Sequence, residues 1–128
     1  MIAADTSTWV AFLEAGSGAG ARLLDQALED RQVLMAPIVL TELLSDPKLP
    51  SNVAETLCEV PLIDLSPGYW QRAGLLRAKV LAKSRKARLG DALIAQICLD
   101  SGIALLTRDR DFRTFAQVAA LDLLLPED

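Results

Sequence analysis

Three carboxylates isolated in apolar runs constrain this chain more than any other feature. Asp5 is the only charged side chain from Met1 to Leu13, Glu42 the only one from Val33 to Ser45, and Asp91 the only one from Leu89 to Leu99. Runs of this kind normally enter a core, where an unpaired carboxylate is costly to desolvate. None of the three contains a Lys, Arg or His, so the fold has to bring a partner from elsewhere. Asp109 and Asp111, in TRDRDF, follow the apolar segment IALLT. A shared divalent cation is the simplest partner for all of them.

The bulk numbers leave room for that reading. With 128 residues, 52% of them hydrophobic, the chain is long enough for a substantial core, and one domain over 1–128 is expected. The formal net charge is −4, from 13 basic and 17 acidic residues. A module that holds nucleic acid by charge alone is usually basic. Acids committed to a metal would leave the remaining surface nearly neutral, so net charge does not exclude nucleic acid. The absence of His does exclude an imidazole base, a Ser-His-Asp triad and an imidazole zinc site. Cys58 and Cys98 lie far apart in helical, apolar contexts and are expected to be buried free thiols. Charges interrupt every apolar stretch before it reaches transmembrane length, and no basic segment precedes the first strand. A soluble cytoplasmic protein without membrane contact is therefore expected.

Along the chain, short apolar segments alternate with helical patterns. Residues 2–6 read as a strand, with Ser7 capping a helix to about Glu14, and GSGAG (16–20) reads as a turn. A helical stripe covers 20–30. A strand is expected at 33–36, then a helix from Ile38 to Ser45 led by Pro37 at its first position. A short helix follows at 51–59, then a strand at 62–65. Ser66-Pro67 should open a long helix to about Ala82. After KSRKAR (83–88) come a helix from about Gly90 to Asp100, ended by Gly102, and strands at 103–106 and 121–125. Strands alternating with helices imply an α/β fold with a mostly parallel sheet covered on both faces.

In such a sheet the ligand crevice lies beyond the carboxyl ends of the strands. Asp5 ends the first strand and Asp109 follows the strand at 103–106. Glu42 lies in the helix after the second strand, and Asp91 at the start of its helix. All four map to one edge of the sheet. Each has a structural role to set against this: Asp5 as a helix cap, Asp91 as a helix-dipole partner, Glu42 as a solvated helix residue, Asp109 and Asp111 as turn residues. Clustered carboxylates cannot all stay ionised without a counter-charge. Mg²⁺ or Mn²⁺ suits an all-oxygen site, and such a cation activates water and stabilises charge on a phosphoryl group. That is the chemistry of a metal-dependent nuclease or phosphatase. Lys79, Lys83, Arg85, Lys86 and Arg88 run directly into Asp91 and read either as a solvated helix end and loop or as a rim that tracks RNA phosphates. Trp9 and Trp70 are expected to be packing residues.

IAADTSTWVAFL, TELL, GDALIAQ and LLTRDRDF, in this order, resemble the PIN-domain ribonucleases, and among them the VapC-like toxins of toxin–antitoxin pairs. The resemblance spans nearly the whole chain. It implies a three-layer α/β/α fold with a mostly parallel central sheet, Mg²⁺-dependent RNA cleavage (Mn²⁺ being the alternative ion), a homodimer and a cognate antitoxin. Carried over by motif, Asp5, Glu42, Asp91 and Asp109 are the catalytic acids, with Asp5, Asp91 and Asp109 holding metal. Asp111 is implied as an auxiliary, and Ser7 and Thr107 as hydroxyls that steady the carboxylates or metal-bound water. One departure is Ser45-Asp46, where many relatives carry a small residue, commonly Gly.

A receiver-like phosphoacceptor domain should carry an acidic pair on its first strand and a lysine after its last, and neither is present. A haloacid-dehalogenase-type phosphatase needs a second Asp where Ser7 stands. The remaining alternative is a non-catalytic PIN-like module that only binds RNA or protein; such a module is expected to lack one or more of the acids.

Overall fold

The computed structural model describes residues 1–14 and 18–126. Its sheet is parallel throughout. Strand β1 (Ile2–Ala4) pairs with β2 (Ala104–Leu106), which pairs with β3 (Leu123–Leu124). On the other side of β1, single parallel bridges join Ile2 to Val33 and Met35 to Leu62. The strands expected at 33–36 and 62–65 are thus reduced to bridge residues. Pro37 lacks an amide hydrogen and begins a helix, and Pro61 cannot donate to a ladder. Buried Val33, Met35 and Ile63 still anchor these segments in the core.

The helices follow the hydrophobic spacing closely. They are α1 (Thr6–Glu14), α2 (Ala19–Glu29), α3 (Pro37–Leu44), α4 (Ser51–Glu59), α5 (Tyr69–Ala82), α6 (Leu89–Ser101) and α7 (Phe112–Ala119). α1 packs on α2 and α3, while α5, α6 and α7 pack together. The result is the expected layered α/β architecture. Trp9, Leu24, Met35, Val39, Ile97, Leu105, Leu106, Phe112 and Phe115 are fully buried in its core.

Several local expectations shift. Helix α1 begins two residues earlier than a Ser7 cap would give, because Asp5 is its cap. The turn expected over 16–20 includes Gly16 and Ser17, which lie outside the described residues. Ser66-Pro67 does not open α5; the chain turns through Gly68 at φ 82°, a left-handed conformation that favours glycine, and the helix starts at Tyr69. Helix α7 was not expected, although Phe112, Phe115, Ala116 and Ala119 recur at helical spacing. Cys98 is buried, as expected, but Cys58 is exposed. Trp9 packs in the core, whereas Trp70 is 64% exposed.

Candidate active site

The order of the sheet determines where a site can form. From β1 the chain moves outward through Val33 and Met35 to Leu62, then crosses back to β2 and continues to β3. The direction of winding reverses between β1 and β2. In a doubly wound sheet, the crevice opens beyond the carboxyl ends of the two strands flanking such a reversal. Asp5 follows β1 directly, and Thr107 follows β2 directly.

Asp5 is buried and its carboxylate is filled with donors. Oδ1 accepts from the Thr8 backbone N–H (3.1 Å) and from Thr8 Oγ1 (2.6 Å). Oδ2 accepts from Ser7 Oγ and from Thr107 Oγ1, each at 2.8 Å. The first pair is helix capping at the third position of α1. The second joins the ends of β1 and β2 through a Thr107 side chain that is wholly shielded from solvent. Four donors match the lone-pair capacity of a carboxylate, so a cation would reach Asp5 by exchanging with a hydroxyl. Ser7 is exposed while Thr8 and Thr107 are buried, which makes Ser7 the accessible one.

Thr107 passes the arrangement onward. Its Oγ1 also accepts from the Asp109 backbone N–H (2.9 Å), and Asp109 Oδ1 accepts from the Asp111 backbone N–H (2.9 Å). Asp109 therefore shapes its own turn, the structural role considered for it, and remains half-buried beside the cluster. Asp111 caps α7 by position and lies 3.8 Å from Lys86 Nζ.

Asp91, in the first turn of α6, carries the clearest electrostatic signature. Partial burial, above all, pushes its pKa up to about 6; the negative charges of Asp109, Asp5 and Asp111 push in the same direction, while Arg88 opposes them. Four acids from three parts of the chain are thus close enough to repel. Among the described residues, no hydrogen-bond donor to the Asp91 carboxylate is present. Glu42 is exposed on α3 and is not among the charges that act on Asp91; its Oε1 accepts from Thr6 Oγ1, next to Asp5 in the chain, at 2.7 Å.

No three acidic or thiol side chains among the described residues already enclose a common point for a metal ion. The donor set nevertheless fits a hard divalent cation. It is all oxygen, it is crowded with like charge, and Asp91 has open coordination sites. Asp91 and Asp109 would hold the ion most directly, and Asp5 after release of one hydroxyl. Lys83, Arg85, Lys86 and Arg88 are all exposed on the segment leading into α6. Sequence reasoning missed Thr6 and Thr8. Counting the cap from Asp5 would have found Thr8, since a hydroxyl three residues after a cap sits where capping bonds form.

Fold and site together define a doubly wound α/β domain with an acidic, all-oxygen centre at its winding reversal. The PIN domain model matches residues 2–118, and the chain belongs to the PIN-domain family, whose members are generally nucleases that use divalent metal ions. Solved structures share the fold at low identity. VapBC2 from Rickettsia felis, bound to a DNA fragment from its promoter, matches at TM-score 0.75 and 20% identity over 99% of this chain and 100% of that one. VapBC-5 from Mycobacterium tuberculosis, a member of the VapBC family of toxin–antitoxin systems, matches at 0.69 and 19% over 96% of each chain. FitAcB from Neisseria gonorrhoeae matches at 0.69 and 20% over 98% of each. Comparison with curated protein sequences gives no match. Among the described residues, no helix is long and apolar enough to cross a membrane.

Proposed function

We propose that this protein is a Mg²⁺-dependent endoribonuclease, with Mn²⁺ able to substitute, acting as the toxin of a toxin–antitoxin pair in the cytoplasm. The whole chain, 1–128, forms its single nuclease domain. The observation that carries the reading is geometric: Thr107 joins the Asp5 carboxylate to the Asp109 turn beyond the ends of β1 and β2, and both acids lie near enough to act on Asp91. Asp5, Asp91 and Asp109 hold the cation, Glu42 is the fourth catalytic acid, and Asp111 assists. When bound, the cation neutralises the carboxylates, activates water and stabilises charge on the scissile phosphate. Ser7 and Thr107 orient Asp5. Lys83, Arg85, Lys86 and Arg88 track phosphates of the RNA strand beside the acids. The likeness to VapBC and FitAcB structures supports a cognate antitoxin, and the family resemblance supports a homodimer.

Cleavage of single-stranded RNA by purified wild type and by Asp5→Asn, Asp91→Asn, Asp109→Asn and Glu42→Gln tests this assignment. Each variant should fold and lose most activity, with Asp111→Asn milder. Full activity in Asp109→Asn together with a dead Asp111→Asn would transfer the metal-holding role to Asp111. Full activity in all of them would leave a binding module with a contaminating nuclease.

A further inference from the structure

Two successive hydroxyls at the start of α1 serve two different acids. Ser7 Oγ donates to Asp5, the residue that caps the helix. Thr6 Oγ1 donates to Glu42 Oε1 at 2.7 Å, across 36 positions of sequence. The platform for both is stiff. Asp5 caps the first turn through Thr8, and the Trp9 backbone N–H donates to the Asp5 carbonyl at 3.2 Å. Thr6 is β-branched, so its hydroxyl has few directions available once the backbone is set.

Glu42 depends on this contact more than its surroundings suggest. The neighbouring hydroxyls on α3 are turned to their own helix: Thr41 Oγ1 donates to the Pro37 carbonyl and Ser45 Oγ to the Thr41 carbonyl. No basic side chain pairs with Glu42 among the described residues. An exposed glutamate without a partner samples several rotamers, and a single short bond removes much of that freedom.

We propose that Thr6 is a positioning residue of the active site, holding the Glu42 carboxylate from α3 in register with the acids gathered around Asp5. This inference rests on the ribonuclease reading for its effect on turnover. The contact itself does not. Thr6→Val removes the donor at nearly constant shape, and Thr6→Ser restores it.

The test has a structural arm and a kinetic arm. In metal-free protein, the side-chain carboxyl carbon of Glu42 is followed by NMR. Thr6→Val should move this resonance toward the position of a free, averaged glutamate, with Thr6→Ser close to wild type and thermal stability little changed. An identical resonance in wild type and Thr6→Val overturns the proposal. In the kinetic arm, a mixed-sequence single-stranded RNA is cleaved with saturating Mg²⁺. Thr6→Val should lower kcat roughly tenfold, the scale seen when a group supporting a metal-site residue is removed, and leave KM for RNA unchanged. The same substitution should have no further effect in a Glu42→Ala background. An unchanged kcat, or a loss that persists without Glu42, overturns the positioning role. If wild type cleaves no RNA with Mg²⁺ or Mn²⁺, the ribonuclease reading fails and the role in turnover fails with it, while the NMR arm still shows whether Thr6 holds Glu42.

Discussion

Asp91 shows how a single carboxyl reports on its neighbours. Its pKa rises from an ordinary 3.8 to about 6, chiefly through partial burial and then through Asp109, Asp5 and Asp111. A raised carboxyl pKa means that the folded state holds a proton the unfolded chain has released. Metal-free protein should therefore lose stability as pH rises from about 4 to about 6, the contribution being fully present below that window. Asp91→Asn removes this dependence. With solvent screening of a half-exposed group, it should stabilise the metal-free fold by ~1 kcal/mol at pH 7. Urea denaturation at pH 4 and pH 7 checks this; a variant less stable than wild type at pH 7 would contradict the raised pKa of Asp91. The same substitution should abolish cleavage, so stability and activity move in opposite directions. Asp5 also has a structural part, since its carboxylate accepts four hydrogen bonds. Asp5→Ala should cost roughly 1–2 kcal/mol through loss of the cap alone, and leaving the Thr107 hydroxyl buried without its acceptor adds to that. Asp5→Asn should cost less, since an amide oxygen still accepts, and comparing the two unfolding midpoints separates capping from chemistry.

At the scale of elements, α6 is held at both ends by polar groups of opposite purpose. Its first turn carries the crowded Asp91, and its last carries Asp100, which accepts from Arg72 Nη2 (2.6 Å), Arg72 Nε (3.0 Å), Gln96 (2.8 Å) and Ser66 (3.1 Å). The bonded Arg72 guanidinium holds the Asp100 carboxyl below the usual range, with help from Gln96 and Ser66. This contribution is present above pH ~4 and fades as pH falls through the depressed pKa, the reverse of the Asp91 effect. Asp100→Asn should lower the melting temperature at pH 7 and converge with wild type in strong acid; equal melting temperatures at pH 7 would mean that the clamp adds nothing. The same network explains one misreading of the sequence: Ser66 is engaged with Asp100 and Arg72, and so does not cap α5. Helix α2 was legible because burial follows its apolar spacing, and α6, buried on all sides from Ile94 to Cys98, was legible from its apolar length and from Gly102 at its end. The segments around Val33 and Leu62 were legible as sheet-forming but not as bridges, since ladder length depends on what lies alongside. Asp5, Glu42 and Asp91 were legible as solitary charges in apolar runs, and Asp109 and Asp111 as acids of a charged loop that follows one. The Thr6–Glu42 contact was not, because no local pattern announces a bond between helices distant in sequence.

For the whole molecule, the reversal of winding between β1 and β2 gathers acids from the start, the later middle and the end of the chain. The apolar residues of α2 and α5 divide in the fold: Leu24, Leu76 and Val80 are buried, while Leu23 and Leu75 are well exposed. For the proposed homodimer, light scattering at micromolar concentration should give twice the mass of the chain; a monomer would contradict it. An antitoxin that inserts Arg or Lys among the acids should lose affinity as Mg²⁺ rises, because two ligands competing for one site weaken each other. Calorimetry of the complex at low and high Mg²⁺ checks this, and equal affinities would point to blockade outside the acidic centre. The central claim is that these acids act together by holding a divalent cation for RNA cleavage. Its most direct measurement is the rate of single-stranded RNA cleavage by EDTA-stripped protein as Mg²⁺ is returned, with Asp91→Asn run in parallel. Wild type should be inert without metal and recover in proportion to bound Mg²⁺, while Asp91→Asn stays inert throughout. Cleavage by wild type in metal-free buffer, or by Asp91→Asn at the wild-type rate, would contradict the account.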